Sequence, residues 1–166
     1  MNYAKINTHD IANGSGVRVS LFVSGCRHHC KGCFNQQTWD FNYGEKFEFK
    51  TALELDNALD DPYISGLSIL GGEPLEPENV EIVTALCEMV YCFHPELTIW
   101  LYTGFLYEDV KDLEIMKYIH VLVDGRFVEE LKDISLKFKG SSNQRIIDVK
   151  KSRKTDSVVL WEDVQQ

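Results

Sequence analysis

The sequence predicts an α/β fold, a partial (β/α) barrel of mostly parallel strands that forms a single domain over residues 1–166. Strand-like and helix-like segments alternate four times along the chain, which is typical of parallel βαβ units. Four units are too few to close an eight-stranded barrel, so we expect a curved, open sheet. The length and the 44% hydrophobic content suit one packed core.

Four short segments are predicted as the parallel strands. Val17–Val23 alternates between apolar and polar residues, which is the period of a strand. Leu67–Leu70, Leu97–Leu101 and Ile119–Val123 are apolar runs closed by turn-forming residues. The segments that follow the four strands are the cysteine-rich stretch from Cys26, Gly71-Gly72, Thr103-Gly104 and Asp124-Gly125. Because sites in such folds lie at the carboxyl ends of the strands, we expect these segments around one mouth.

Three helices are predicted between the strands. Thr51–Glu54 has the form of a capping box that opens a short helix. Pro77 suits the first turn of a long helix, which ends at His94 because Pro95 follows. Tyr107–Tyr118 is predicted as the third helix. The apolar stripe expected on the long helix consists of Ile82, Leu86, Met89 and Phe93.

The remaining segments are less regular. Residues 34–50 are aromatic and polar without a clear period, and we expect them to pack over the cysteine-rich stretch. Arg145–Val149 and Ser157–Trp161 are rich in β-forming residues. The basic run between them, residues 150–154, is interpreted as a solvated turn.

Composition argues against several classes of function. The net charge of −9 argues against a nucleic-acid-binding protein, because contacts to phosphates dominate such binding. No apolar run approaches the length of a membrane span, and the first residues lack the basic and apolar regions of a secretory signal. We therefore expect a cytoplasmic protein whose thiols stay reduced.

Cys26, Cys30 and Cys33 lie in the stretch CRHHCKGC, directly after the first predicted strand. Thiolates packed this closely repel one another unless a metal takes up their charge. An iron–sulfur cube is commonly held by four thiolates, so three would leave one iron open to a substrate. The alternative is a structural zinc site. Its fourth ligand would be one of four side chains: His28, His29, Cys87 or Cys92.

The spacing favours the cluster over zinc, because structural zinc sites usually pair two C-x2-C motifs. Cys87 and Cys92 are five residues apart on the predicted long helix, which separates them by about 140° around its axis. They cannot face one metal together and are interpreted as small core residues. His28 and His29 are interpreted as solvated or packed on a neighbour, without a catalytic role.

Two further motifs each have two interpretations. Gly71-Gly72-Glu73-Pro74 is either an ordinary strand-to-loop turn or a place where a ligand approaches bare backbone. In the second case, backbone carbonyls and Glu73 would accept hydrogen bonds from an ammonium group. Asp124-Gly125-Arg126 is either a turn after an edge strand or a charged pair that grips a zwitterionic ligand.

The C-x3-C-x2-C loop after the first strand and the GGEP sequence after the second together resemble the radical S-adenosylmethionine (SAM) superfamily. Within it, Cys26–Asn35 is similar to the family of anaerobic ribonucleoside-triphosphate reductase activating proteins. Supporting segments, which extend the resemblance to about Val149, are Asn13–Arg18, Trp100–Gly104, Val123–Phe127 and Gly140–Arg145.

The resemblance implies a set of site residues. Cys26, Cys30 and Cys33 would ligate a 4Fe-4S cluster, and SAM would chelate the free iron through its amino and carboxylate groups. The residues implied to contact SAM are Gly32, Cys33 and Phe34 at the adenosyl part, Gly71, Gly72 and Glu73 at the methionyl amino group, and Asp124 with Arg126 in the manner of a D-x-K pair. Many members carry an aromatic residue just before the third cysteine. This chain has Gly32 there, so Phe34 is expected to supply the stacking surface.

The implied activity is that of a glycyl-radical activating enzyme. An external low-potential donor, such as flavodoxin or ferredoxin, would reduce the cluster, and cleavage of SAM would give a 5′-deoxyadenosyl radical. That radical would take a hydrogen from a glycine α-carbon of the partner, an anaerobic ribonucleoside-triphosphate reductase. The alternatives are another small radical-SAM activity, such as activation of a pyruvate formate-lyase-like enzyme or modification of a heterocycle, and a non-catalytic zinc-binding module.

Overall fold

One mixed seven-stranded sheet runs through the computed structural model, which describes residues 1–162. The last four residues of the predicted domain lie outside the described residues. The strands are β1 (Asn2–Asp10), β2 (Val17–Val23), β3 (Glu45–Lys46), β4 (Ile64–Gly71), β5 (Thr98–Tyr102), β6 (Val121–Asp124) and β7 (Arg145–Asp148). Their order across the sheet is β3-β1-β2-β4-β5-β6-β7. The four central strands β2, β4, β5 and β6 are parallel, and the outer pairings are antiparallel.

Within residues 1–162, three helices connect the parallel strands as the alternating pattern predicts, and a fourth follows β7. They are α1 (Phe49–Leu59), α2 (Val80–Phe93), α3 (Tyr107–Val110) and α4 (Val149–Thr155). Short 3-10 turns lie at Gln36–Trp39, Glu114–Lys117 and Glu129–Leu131. No helix within residues 1–162 is long and apolar enough to cross a membrane.

The two faces of the central strands have different surroundings. Leu21, Ile69 and Leu101 are fully buried in the main hydrophobic core, together with the inner residues of α1 and α2. Because successive side chains of a strand point to opposite faces, Phe22 and Leu70 point away from that core. The helices therefore cover one face of the sheet, and the other face is left for a separate cavity.

β2 has its predicted bounds but is buried on both faces, because it lies in the middle of the sheet. Its Arg18 is fully buried. The guanidinium donates to the hydroxyl of Ser68 at 2.7 Å and to the carbonyls of Leu67 at 2.9 Å and Thr98 at 2.7 Å. Burial lowers the pKa of Arg18 to about 10. The alternating pattern would have placed this cation on a polar face. In the buried strand, the neutral oxygens instead accept the hydrogen bonds of the guanidinium.

The starts of two helices differ from the prediction. α1 begins at Phe49, so Thr51 lies inside the helix, where its hydroxyl accepts from the N–H of Glu48 at 3.4 Å. α2 begins at Val80, and Pro77 lies in the preceding turn. The buried residues of α2 are Val83, Leu86, Cys87 and Val90. The predicted stripe is confirmed at Leu86 and at Met89, which is half-buried against the main core. It was wrong at Phe93, which is 75% exposed, because apolar residues surround most of this helix and periodicity alone did not select the face.

Two later segments also differ. The predicted helix Tyr107–Tyr118 is interrupted, because Leu113 has an extended backbone that separates α3 from a 3-10 turn. The basic run at residues 150–154 forms α4 instead of a turn, since the side chain of Asp148 accepts from the N–H of Lys151 at 2.9 Å and caps the helix. Ser157–Trp161 contributes one isolated β-bridge instead of a strand.

Candidate cluster and cofactor site

A cavity of about 560 Å³ lies at the carboxyl ends of the parallel strands, on the face of the sheet opposite α1 and α2. Its volume is in the range of small-molecule binding sites. Phe22, Leu70 and Tyr102 supply sheet side chains to its wall. The structure brings all four sequence motifs to it, and the lining residues from these motifs are Cys26, Cys30, Cys33, Gly71, Gly72, Glu73, Thr103, Gly104 and Gly125.

The cysteine loop is held by the segment that follows it. The N–H of Gly25 donates to the carbonyl of Thr38 at 2.8 Å, and the N–H of Cys26 donates to the carbonyl of Trp39 at 3.2 Å. Gly25 has a positive φ of 97°, and a Cβ there would lie 2.2 Å from the ring of Phe41. Residues 34–50 therefore pack against the cysteine loop, as the sequence predicts.

The thiols suit a metal cluster. All five cysteines are free, and burial raises the pKa of Cys26 to about 11. Burial and the neighbouring Cys33 also raise the pKa of Cys30. Ligation by thiolates therefore needs a metal that compensates their charge.

A closed zinc site requires four side chains that converge on one ion at about 2.0–2.3 Å. Within residues 1–162, no three His, Cys, Asp or Glu side chains converge in this way. A cluster attaches each thiolate to a different iron, so its ligands spread further apart. The three thiols line one cavity, which is the arrangement that three ligands of one iron–sulfur cluster require.

Gly71 and Gly72 join the cysteine loop to the end of β4. The N–H of Gly72 donates to the carbonyl of Val23, and the N–H of Glu73 donates to the carbonyl of Gly25, both at 2.8 Å. A Cβ on Gly72 would lie 2.6 Å from that carbonyl oxygen of Gly25. The close approach of the two backbones therefore requires glycine at position 72.

The Glu73 carboxylate is buried and accepts four hydrogen bonds from the protein. Oε1 accepts from the N–H of Leu75 at 2.9 Å and from the hydroxyl of Thr103 at 2.8 Å. Oε2 accepts from the N–H of Gly104 at 2.8 Å and from Nε2 of His28 at 2.9 Å. A carboxylate has about four acceptor positions, so these donors satisfy it within the protein.

Asp124 and Arg126 are placed differently from the cysteines and glycines. Asp124 is fully buried, where it accepts from the N–H of Tyr107 at 2.8 Å and forms an ion pair with Arg145. Gly125 lines the cavity, whereas neither Asp124 nor Arg126 does. The contact of this pair with SAM stays a prediction.

Phe34 borders the opening of the cavity. Its side chain is 60% exposed and tilts against the ring of Phe127 with a centroid separation of 5.2 Å. The Nζ of Lys132 lies 4.7 Å from the ring centroid of Phe34. Gly32 has a positive φ of 69° and lies against the side chain of Glu129, outside the cavity lining. The adenosyl contacts of Gly32 and Phe34 stay predictions.

Comparison with known proteins also indicates an iron–sulfur cluster. A family model described as a 4Fe-4S single cluster domain matches residues 12–147. The anaerobic ribonucleoside-triphosphate reductase-activating protein of Enterobacteria phage T4 is 44% identical over 146 residues, which cover 88% of this chain and 93% of the relative. The proteins of the same name from Escherichia coli K12 and Vibrio cholerae are 42% and 41% identical, and the alignments cover 96% and 97% of those chains. The chain belongs to this family of activating proteins.

His28 belongs to the site in this member of the activating family, although the sequence predicted no role for it. Its side chain is buried, lines the cavity and packs edge-on against Phe105 with ring centroids 4.7 Å apart. The sequence shows that His28 lies between two cysteines. It does not show the contact of His28 with Gly104, because that contact joins distant parts of the chain. His29 instead stacks on Trp39 at 4.5 Å, on an exposed part of the loop.

The two remaining cysteines lie on α2 and do not line the cavity. Cys87 is buried in the main core, which confirms its predicted role as a small core residue. Cys92 is exposed, so the same prediction was wrong there. The large angular separation of the two residues on the helix explains why only one of them reaches the core.

Proposed function

We propose that this protein is the activase of an anaerobic ribonucleoside-triphosphate reductase, an oxidoreductase that uses a 4Fe-4S cluster and SAM to generate a glycyl radical on that reductase. The observation that carries the proposal is the meeting of three free thiols and the Gly71-Gly72 backbone on one cavity, in a chain of this family. When bound, the cluster and SAM supply one-electron cleavage of the sulfonium and thus a 5′-deoxyadenosyl radical.

The chain's residues hold and orient these groups. Cys26, Cys30 and Cys33 are the proposed cluster ligands, and their number leaves one coordination position for SAM. Gly71 and Gly72 bring bare backbone to the cavity, where the methionyl amino group is proposed to lie. Phe34 offers a ring face at the opening for the adenine.

The wall contributed by the sheet favours radical chemistry. Phe22 and Leu70 are buried apolar residues on the cavity side. Apolar walls exclude water, which limits side reactions of a reactive intermediate. The helices lie on one face of the sheet and the cavity on the other, which supports the proposed partial barrel of the radical-SAM type.

The protein substrate must reach the cavity from outside. Ile134 is 94% exposed and borders the opening together with Phe34. We place the partner's glycine-bearing segment at this opening, with an external donor such as flavodoxin or ferredoxin supplying the electron. The free thiols are consistent with a reducing, cytoplasmic setting.

The test uses anaerobically reconstituted protein incubated with SAM, a reductant and an anaerobic ribonucleoside-triphosphate reductase, followed by electron paramagnetic resonance. A glycyl signal on the reductase is expected. Cys30→Ser should abolish it, whereas Cys92→Ser, a change at an exposed position away from the cavity, should not. No signal from the reductase, with a signal from a pyruvate formate-lyase-like enzyme, would select the alternative substrate. Zinc without sulfide in the purified protein would select the zinc module.

A further inference from the structure

His28 joins three parts of the site that are far apart in sequence. It lies in the cysteine loop between Cys26 and Cys30, and its Nε2 lies 2.9 Å from Oε2 of Glu73. A carboxylate only accepts, so Nε2 carries the hydrogen and donates it. The exposed fraction of the side chain is 7% for His28 and 1% for Glu73, so the bond is shielded from water. It connects the cluster-binding loop to the proposed methionyl-binding segment.

The end of β5 is shaped to admit the His28 ring. A Cβ on Gly104 would lie 2.4 Å from Cδ2 of His28, so any larger residue at position 104 would displace the imidazole. Phe105 packs edge-on against the same ring. The N–H of Gly104 and the hydroxyl of Thr103 also donate to Glu73, so the end of β5 holds both partners of the His28–Glu73 bond.

We propose that His28 is a positioning residue that fixes the cysteine loop relative to Glu73 and thereby sets where SAM lies against the cluster. This inference rests on the proposed function. Because the protein's own donors satisfy the Glu73 carboxylate, Glu73 acts as the anchor of this contact. The backbone beside it, at Gly71 and Gly72, is left to meet the methionyl amino group.

The proposal predicts that loss of the His28 hydrogen bond weakens SAM binding but leaves the cluster in place, since the three thiols are unchanged. Residues that orient ligands of a metal site typically contribute 10- to 100-fold to affinity or activity. His28→Phe keeps a planar ring against Phe105 but removes the donor, and should weaken SAM binding by about 10- to 100-fold. His28→Gln keeps a donor and should restore most of the affinity. His29→Phe is the matched control, because it keeps a ring on Trp39 and makes no contact with Glu73.

The measurement has two parts, iron and sulfide content per chain and the SAM concentration that half-converts the paramagnetic spectrum of the reduced protein. Equal SAM affinity in His28→Phe and His29→Phe would overturn the proposal, as would His28→Gln binding as weakly as His28→Phe. Loss of iron from His28→Phe would also overturn it, because His28 would then serve cluster retention. If the unaltered protein shows no response to SAM, the proposed function itself fails. If the unaltered protein responds normally to SAM, a failed prediction for the variants concerns only the proposed role of His28.

Discussion

Substitution of Gly72 by alanine should separate the cysteine loop from the end of β4. The new Cβ would lie 2.6 Å from the carbonyl oxygen of Gly25 and 2.9 Å from that of Thr38, whereas ordinary contacts begin at 3.4 Å. Both obstacles are backbone atoms, so the main chain must shift by several tenths of an ångström. The Gly25 carbonyl accepts from the N–H of Glu73, and the Thr38 carbonyl accepts from the N–H of Gly25. The shift therefore weakens two hydrogen bonds that hold the loop.

The expected loss of stability is about 3 kcal/mol. Each weakened hydrogen bond contributes on the order of 1 kcal/mol, and overpacking adds about 1–3 kcal/mol. With a urea dependence of about 2–3 kcal/mol per molar, the unfolding midpoint should fall by about 1 M. Reconstituted Gly72→Ala should also retain less iron than the unaltered protein.

Gly140→Ala is the matched control for this experiment. Neither glycine has a left-handed backbone, and both line the cavity. The three atoms nearest to a Cβ on Gly140 would belong to the rings of Phe127 and Phe34, at 3.1–3.3 Å, and those rings can rotate. We expect a loss below about 1 kcal/mol. Equal unfolding midpoints for the two variants would refute the steric reasoning.

Three further predictions concern pH, partner binding and a buried charge. Burial lowers the pKa of His120 to about 4, and a backbone N–H donates to its Nδ1 at 3.1 Å, so the folded state favours the neutral ring. Its contribution is complete above pH 6.5 and is lost as the pH falls toward 4. His120→Gln should therefore be less sensitive to acid by about 1–2 kcal/mol at pH 5 in urea titrations, and parallel pH profiles would contradict this. Ile134→Glu should lower the glycyl-radical yield about tenfold while SAM cleavage without reductase is unchanged, whereas Phe93→Glu, an equally apolar-to-acidic change at a 75% exposed position on α2, should alter neither. Arg145→Met leaves the carboxylate of Asp124 buried without its cation and should lower the free energy of unfolding by about 2–3 kcal/mol, below the value for fully buried pairs because Arg145 is 30% exposed. A loss under about 0.5 kcal/mol would show that the pair is compensated by solvent.

The parallel centre of the fold could be predicted because burial imposes a strong pattern there. β2 was predicted at its observed bounds, and the alternation of strands with helices is confirmed. β1 was not predicted, since it buries only Tyr3 and Asp10 and so carries no apolar period. α4 was missed because a basic sequence that is exposed on nearly all sides resembles a solvated turn until its cap at Asp148 is seen.

The site could be predicted as far as chain topology determines it. Motifs at the ends of parallel strands meet at one edge of the sheet, which brought the cysteines and Gly71-Gly72 together. The partners of the acidic residues depend on side-chain contacts between distant segments. Glu73 and Asp124 both lie at the carboxyl ends of parallel strands, yet Glu73 is held by His28 and Asp124 by Arg145. No local pattern in the sequence specifies those pairings.

The most direct test of the central claim concerns the coordination position that three cysteines leave open. Electron–nuclear double resonance of the reduced protein, with SAM isotopically labelled at its amino nitrogen, measures whether that nitrogen is bound to the cluster. We predict a hyperfine coupling large enough to require a direct iron–nitrogen bond, and its loss when unlabelled SAM is supplied in excess. A cluster whose spectrum shows four protein ligands and no coupling to the label would contradict the account.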